Sequence, residues 1–283
     1  MLPKIIYSYW HQGREATPPL VRTCMERMEA LNPEWHIRIL DKDSAEEAVR
    51  RIPLSSEKWS QLSLPHRSDL IRTRLLIDTG GVWIDPTVYL TQPLDKWIHA
   101  SMKAGIFLFS RPGRDRVISN WFIAAEPSNI LLSRLLESLC DYWESNDFRR
   151  SDGRTKALQN QLSRIINRNL DLPRLWLTWP FRKWFRLSPY MIYHYTFYDL
   201  VKSDNGLAEM FSAMPKVPAE SVHTLQRYGL HSEFSDVAKA ILEDPDLPLQ
   251  KLAWKLPEGA ERPTSVHGFI VRSGDRDSPR TDV

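Results

Sequence analysis

Two acids and an arginine lie close enough in this sequence to act together. In HRSDLIRTRLLIDTGG, Asp69 and Arg72 are three residues apart, a spacing that puts both side chains on one helical face. Gly80-Gly81 then stop the helix, Val82 to Ile84 read as a strand, and Pro86 holds Asp85 in an extended conformation at the strand's end. Strand alternation turns Trp83 to the same side as Asp85, and Thr87 follows two residues later. Spacing alone leaves two readings of Asp69 and Arg72. One is an exposed ion pair of little energetic consequence. The other is a cluster of opposite charges at a strand end, where open α/β sheets collect their ligands.

The rest of the chain supplies elements to hold such a cluster. Lys4 to Trp10 is an apolar, aromatic run ending at His11-Gln12-Gly13, a first strand that delivers its carboxyl end to a loop. Pro18-Pro19 open a helix in which Leu20, Cys24, Met28 and Leu31 recur at helical spacing. Trp35, Ile37 and Ile39 alternate as a second strand ending at Asp41. Strand, helix, strand predicts a right-handed parallel crossover, with Trp10 and Asp41 near its carboxyl ends. The helix bearing Asp69 has its apolar face at Leu70, Ile71, Leu75 and Leu76. Phe107 to Ser110 and Trp121 to Ala125 read as two further strands around a turn at Arg111-Pro112-Gly113. From about Asn129 the pattern is mostly helical, and Arg272 to Val283 is polar and Gly/Pro-bearing. We therefore expect one α/β domain over 1–270, with a helical, aromatic and basic subdomain over about 129–255, and a mobile tail over 271–283.

Bulk properties exclude several classes. With 42% hydrophobic and 26% charged residues in 283, the chain has the composition of a soluble protein with its own core. No apolar run approaches the ~20 residues that span a bilayer. The N-terminal MLPKIIYSYWHQG is too short and aromatic for a secretory signal, so a cytoplasmic protein is expected. Cys24 and Cys140 lie far apart without metal spacing and read as buried thiols. The eight histidines show no paired zinc spacing, and no G-x-G-x-x-G, P-loop or G-x-S-x-G string occurs. A net charge of +3 argues only weakly for an anionic partner.

Four stretches together, PKIIYSYWHQG, NPEWHIRILD, HRSDLIRTRLLIDTGGVWIDPTVYL and RDRVISNWFIAAE, resemble the bacterial capsular-polysaccharide-synthesis glycosyltransferases. These are relatives of the family thirty-two sugar transferases with a DXD sugar-binding region. The resemblance runs from Pro3 to about Lys255. It implies a GT-A fold, the Rossmann-like α/β architecture of nucleotide-diphospho-sugar transferases, with helical C-terminal additions. It also implies retaining transfer of a sugar from a UDP- or GDP-linked donor to a hydroxyl of a glycan or lipid-linked acceptor in surface polysaccharide synthesis. Carried over residue by residue, Trp10 would stack on the nucleotide base with Gln12 in the same loop. Asp69 and Arg72 would bind the donor sugar and phosphates, and Trp83 would line that pocket. Asp85 matches the first aspartate of the motif, and Asn120 matches a strand position facing sugar and acceptor; these two are the expected catalytic residues.

The sequence departs from that pattern at one position. A departing diphosphate must be met by a cation, by arginines or by helix N-termini. An aspartate pair usually holds a divalent ion there through hard oxygen ligands. Here Asp85-Pro86-Thr87 replaces the second acid by a hydroxyl, so Mn or Mg at Asp85 and Thr87 is weaker, completed by other groups, or absent. His223 and Lys251 are the downstream residues expected to approach the diphosphate, with His267 and Lys255 as further candidates. Asp115 and Glu126 join Asp69 and Asp85 as acids near the expected pocket, none assigned as a nucleophile.

The stretch LPRLWLTWPFRKWFRLSPYMIYHYTFY gathers Trp176, Trp179, Phe181, Trp184 and Phe185 with Arg174, Arg182, Lys183 and Arg186. Its composition suits an anionic membrane surface on the inner face of the plasma membrane. It equally suits a helical subdomain that packs its rings on the sheet and leaves the cations in water. No recognition module accompanies the rings, so nucleic acid is not an expected partner. The rival to an enzyme is a catalytically silent protein of the same fold that holds a nucleotide or glycan, with Thr87 marking a lost metal.

Overall fold

The computed structural model describes residues 1–149, 152–256 and 261–277. The chain begins with β1 (Ile5–Tyr9), α1 (Pro19–Leu31) and β2 (His36–Leu40), then passes through two short helices, α2 (Glu46–Arg50) and α3 (Ser56–Gln61). The long helix α4 (Leu64–Thr79) leads into β3 (Gly81–Ile84) and β4 (Val88–Leu90). After α5 (Ile98–Ser101) comes a hairpin of β5 (Ile106–Gly113) and β6 (Arg116–Ala125). The remainder is helical: α6 (Ile130–Glu144), α7 (Gly153–Ile166), α8 (Ile192–Ser203), α9 (Asn205–Ala213), α10 (Thr224–Tyr228) and α11 (Asp236–Glu243). Strand β7 (Leu249–Lys251) and helix α12 (Val266–Asp277) follow.

Five strands form a mixed sheet in the order β2-β1-β3-β6-β5. β1 is parallel to both its neighbours, β2 and β3, whereas β6 runs antiparallel to β3 and β5. The chain therefore leaves β1 through α1 to one side and returns through α4 to the other. The carboxyl ends of β1 and β3 flank the resulting switch point, the crevice where open α/β sheets bind ligands.

Both faces of the sheet are covered, so β3 reads as a continuous apolar run and its alternation shows only in its packing. Trp83 packs in one cluster with Leu70, Leu76, Leu135 and Phe197, under α4, α6 and α8. Val82 and Ile84 pack in the other with Met28, Phe107 and Phe122. Asp85 continues the Trp83 side and so faces α4. The handover from α4 to β3 depends on its two glycines, at φ 66° and 103°. A Cβ on Gly81 would lie 2.6 Å from the Ile5 carbonyl oxygen, so only glycine lets β3 start this close to β1.

A separate two-stranded ladder pairs β4 antiparallel with β7, setting Val88 opposite Lys251. The Leu252 N–H donates to the Thr87 carbonyl at 2.9 Å and extends the ladder by one bond. This pairing ties the far C-terminal part of the chain to the segment after Asp85.

Two expectations need correction. The hairpin does not turn at Arg111-Pro112-Gly113: β5 continues through them, and the turn is Arg114-Asp115. β5 is an edge strand with register irregularities between Ser110 and Gly113, which is where a sheet tolerates proline. The expected tail at 271–283 is helical through Asp277, because α12 lies against α1 so closely that a Cβ on Gly274 would meet Thr23 at 2.7 Å. Residues 278–283 lie outside the described residues.

The aromatic, basic stretch divides. Trp176 is fully buried with Ile166, Leu187 and Tyr195, whereas Trp179 and Trp184 are 58% and 69% exposed and meet edge to face at 5.3 Å. Its cations turn back onto the protein: Arg174 pairs with Asp199 at 2.6 Å, Arg182 reaches Ser145 Oγ at 3.1 Å, and Arg186 donates to the Asp147 carbonyl. Among the described residues no helix is long and apolar enough to cross a membrane.

Candidate functional site

Helix α4 is buried on most of its surface, and that burial decides between the two readings of Asp69 and Arg72. Asp69 is 8% exposed and Arg72 5%, so the pair is not a solvated one. The Arg72 guanidinium lies 3.5 Å from Asp69 Oδ1 and 3.6 Å from Asp85 Oδ1. It also donates to the Asn120 carbonyl and to Ser68 Oγ, and it sits over the Trp83 ring, 4.8 Å from its centroid. Such a planar fork of fixed donors holds several acceptors at once in set directions.

Strand register brings in the remaining groups. The Asp85 N–H donates to the Trp121 carbonyl at 2.8 Å, and Trp83 Nε1 donates to Asp85 Oδ1 at 2.9 Å. Because Ile84 pairs with Phe122 across an antiparallel ladder, Asn120 falls just beyond the end of β3. There its Nδ2 donates to Asp69 Oδ1 at 2.8 Å. Lys251, carried in by the β4–β7 ladder, donates to Thr87 Oγ1 and lies 3.7 Å from Asp85 Oδ2. Asp69, Arg72, Trp83, Asp85, Thr87, Asn120 and Lys251, all expected from sequence, thus form one cluster at the switch point.

The other expected residues fall around it or away from it. Trp10 directly follows β1 and meets Trp254 edge to face at 5.5 Å, three residues past Lys251, while Gln12 is exposed in the following loop. His223 packs edge-on against Trp121 at 5.6 Å and its Nδ1 is bonded to the Ala219 carbonyl at 2.6 Å. Lys255 sits over the Trp254 ring, and His267, at the start of α12, makes none of its contacts to the cluster. The acids Asp115 and Glu126 do not belong to the pocket. Asp115 accepts from Tyr195 at 2.7 Å and pairs with Arg116 at the hairpin turn. Glu126 follows the carboxyl end of antiparallel β6, which lies beside the start of β3, and pairs with the N-terminal amine at 2.6 Å.

Tyr190 and His66 had no sequence signal beyond being aromatic. They line a cleft of about 1050 Å³ together with Lys58, Trp143, Arg149 and Arg186. Burial, and after it the charges of Asp69 and Asp85, raise the Tyr190 phenol.

The residues present do not suit a divalent cation. Asp85 supplies the sole acid of the strand-end motif and already faces two cations, while Thr87 Oγ1 is taken by Lys251. Among the described residues no three His, Cys, Asp or Glu side chains gather as a ligand set. Hard cations need several oxygen ligands with compensating charge.

Comparison with known proteins now places the chain. Residues 1–150, more than half of its length, match the family described as capsular polysaccharide synthesis protein. The chain belongs to that family. The chain is 29% identical over 160 residues to the O-glycosyltransferase braB of Annulohypoxylon truncatum, a match covering 50% of the chain and 38% of that relative. It is 30% identical over 146 residues to the O-glycosyltransferase PaGT of Phomopsis amygdali, covering 45% of the chain and 36% of that relative. The chain thus spans well under half the length of these fungal relatives. A solved structure titled PaToxG Glycosyltransferase covers 95% of the chain at 14% identity and a TM-score of 0.38, too distant to bear on the fold.

One carboxyl of the cluster is shifted toward neutrality. Burial pushes the Asp69 carboxyl up to about 7; Arg72 opposes the rise, Asp85 adds to it, and the Asn120 hydrogen bond opposes it. The native state therefore holds a proton between pH 3.8 and about 7 that the unfolded chain has released, so Asp69's contribution to stability falls as pH rises through that window. An anionic ligand gains from the same proton, because protonated Asp69 leaves Arg72 and Lys251 opposed by Asp85 alone. Burial holds His223 below its ordinary value. Affinity for a nucleotide sugar, whose pyrophosphate does not titrate near 7, should fall about tenfold between pH 6 and 8. Isothermal titration checks this, and Asp69→Asn should flatten the profile.

Proposed function

We propose that this chain is a glycosyltransferase of GT-A type that moves a sugar, with retention, from a UDP- or GDP-linked donor to a hydroxyl of a glycan or lipid-linked acceptor. The observation that carries the reading is the convergence of Arg72 and Lys251 on Asp85 at the switch point of the sheet. Two cations held close to one strand-end acid fit a pyrophosphate and the charge it gains as the sugar departs. Asn120 and Asp69, hydrogen-bonded to each other, supply a donor and an acceptor suited to sugar hydroxyls. Trp10 and Trp254 offer an aromatic wall for the base, and the cleft at Tyr190 offers the acceptor a way in.

In the reaction, the bond between the anomeric carbon and the diphosphate oxygen breaks, the acceptor oxygen bonds to that carbon, and the acceptor proton leaves with the diphosphate. The names of the curated relatives and the family's description support glycosyl transfer. The test is a panel of nucleotide sugars incubated with the intact protein. One or two of them should raise its melting temperature and release free nucleoside diphosphate slowly, with water as acceptor. Binding without any release across the panel would favour a silent nucleotide-binding protein instead.

A further inference from the structure

Lys251 stands where the DXD pattern would put a metal ion. The pattern gives a divalent cation two acidic side chains two residues apart; here those positions are Asp85 and Thr87, and the Lys251 ammonium touches one and faces the other. We propose that the Lys251 ammonium takes the place of the divalent cation, so that this chain binds the diphosphate of its donor without metal. The proposal deepens the donor reading above and rests on it.

Three observations carry it. The first is that the ammonium is placed by backbone and not by a flexible tail. Lys251 pairs with Val88 in the β4–β7 ladder, and the next residue's N–H is bonded to the Thr87 carbonyl at 2.9 Å. Its side chain is only 16% exposed, so the stem is packed; burial lowers the ammonium's pKa and the Asp85 charge opposes that fall. Lysine carries three N–H donors; with one on Thr87 and the charge balanced by Asp85, the others remain for phosphate oxygens. The second is the charge count around Asp85. Arg72 faces one of its oxygens and Lys251 the other, so the acid is already neutralised from both sides, and a doubly charged ion beside it would be repelled by both. The third is Thr87 itself. A neutral hydroxyl accepts a lysine N–H well, yet brings none of the charge that hard-cation sites depend on.

The experiment is titration of the intact protein with UDP, GDP, ADP, CDP and dTDP, each in EDTA and in MnCl2. We expect at least one to bind wild type with the same Kd, within about twofold, in both conditions. Lys251→Met should weaken that binding about 100-fold with or without metal, and Lys251→Arg should keep most of it. Should Lys251→Met not fold, Lys251→Gln keeps the length and hydrogen bonding while removing the charge, and the same loss is expected. Joining Lys251→Met to Thr87→Asp should restore binding only in MnCl2. Wild-type binding that EDTA weakens tenfold or more overturns the proposal while leaving the donor reading intact, as does a neutral variant that binds like wild type in EDTA. Failure of every nucleotide in both conditions overturns the donor reading and this proposal together.

Discussion

Replacing Arg72 by methionine should cost both stability and donor binding, and by more than any other single change in the cluster. The Arg72 side chain is 6% exposed and serves Asp69, Asp85, the Asn120 carbonyl and Ser68 at the same time. Methionine fills most of the volume under the Trp83 ring but leaves the buried Asp69 carboxyl without its cation and the partly exposed Asp85 with Lys251 alone. Breaking a buried pair from one side typically costs about 3–5 kcal/mol where the surviving charge stays desolvated, and protonation of Asp69 keeps the cost here below that range. Asp69 also loses the main influence that holds its carboxyl down and moves further above 7. On the proposed reading, donor affinity should fall by about 100-fold, since one of the two cations that would face the diphosphate is lost. Arg72→Lys should recover part of the stability and little of the binding, because one ammonium cannot reach phosphate and the Asn120 carbonyl together. Urea unfolding measures the first effect and calorimetric titration the second. A folded Arg72→Met protein that binds nucleotide sugar as wild type does would remove Arg72 from the site.

The parts of this site that could be read from sequence are those fixed by local geometry. Helical spacing puts Asp69 with Arg72, alternation puts Trp83 with Asp85, and Pro86 fixes the strand's exit; the structure keeps all three relations. What could not be read depends on pairing between distant segments. Strands of three residues, such as β4 and β7, are too short to show a period, and nothing near Leu249 announces that it pairs with Leu90. Lys251 could thus be named as a cation that might be needed but not as one held on Thr87. The direction of β6 was equally hidden: an antiparallel neighbour carries Glu126 to the wrong end of β3 and Asn120 to the right one. Gly and Pro misled twice for the same reason. Pro112 reads as a turn but sits on an edge strand, and Gly274 reads as a loose tail but marks a close helix crossing.

Replacing Asp85 by asparagine should separate binding from turnover. The amide keeps the shape of the side chain, an oxygen for the Trp83 Nε1–H and the backbone bond to Trp121, so the fold has little reason to change. It removes the charge that lies between Arg72 and Lys251. A nucleoside diphosphate then meets two cations with no carboxylate between them and should bind several-fold tighter. Turnover should fall about 100- to 1000-fold, the scale for misplacing the cations that would meet the departing diphosphate's charge. The two effects belong together. On the proposed reading, Asp85 spaces the two cations for the departing diphosphate, and without it they would bind the ground-state diphosphate more tightly, which lowers KM and kcat at once. A metal ligand would behave oppositely, because its loss weakens diphosphate binding along with turnover. Steady-state kinetics on the donor identified by the panel, paired with product titration, distinguishes the two patterns. A parallel fall in both quantities would mean that Asp85 serves the diphosphate through a bound ion, and an unchanged rate would mean that it does not serve it at all.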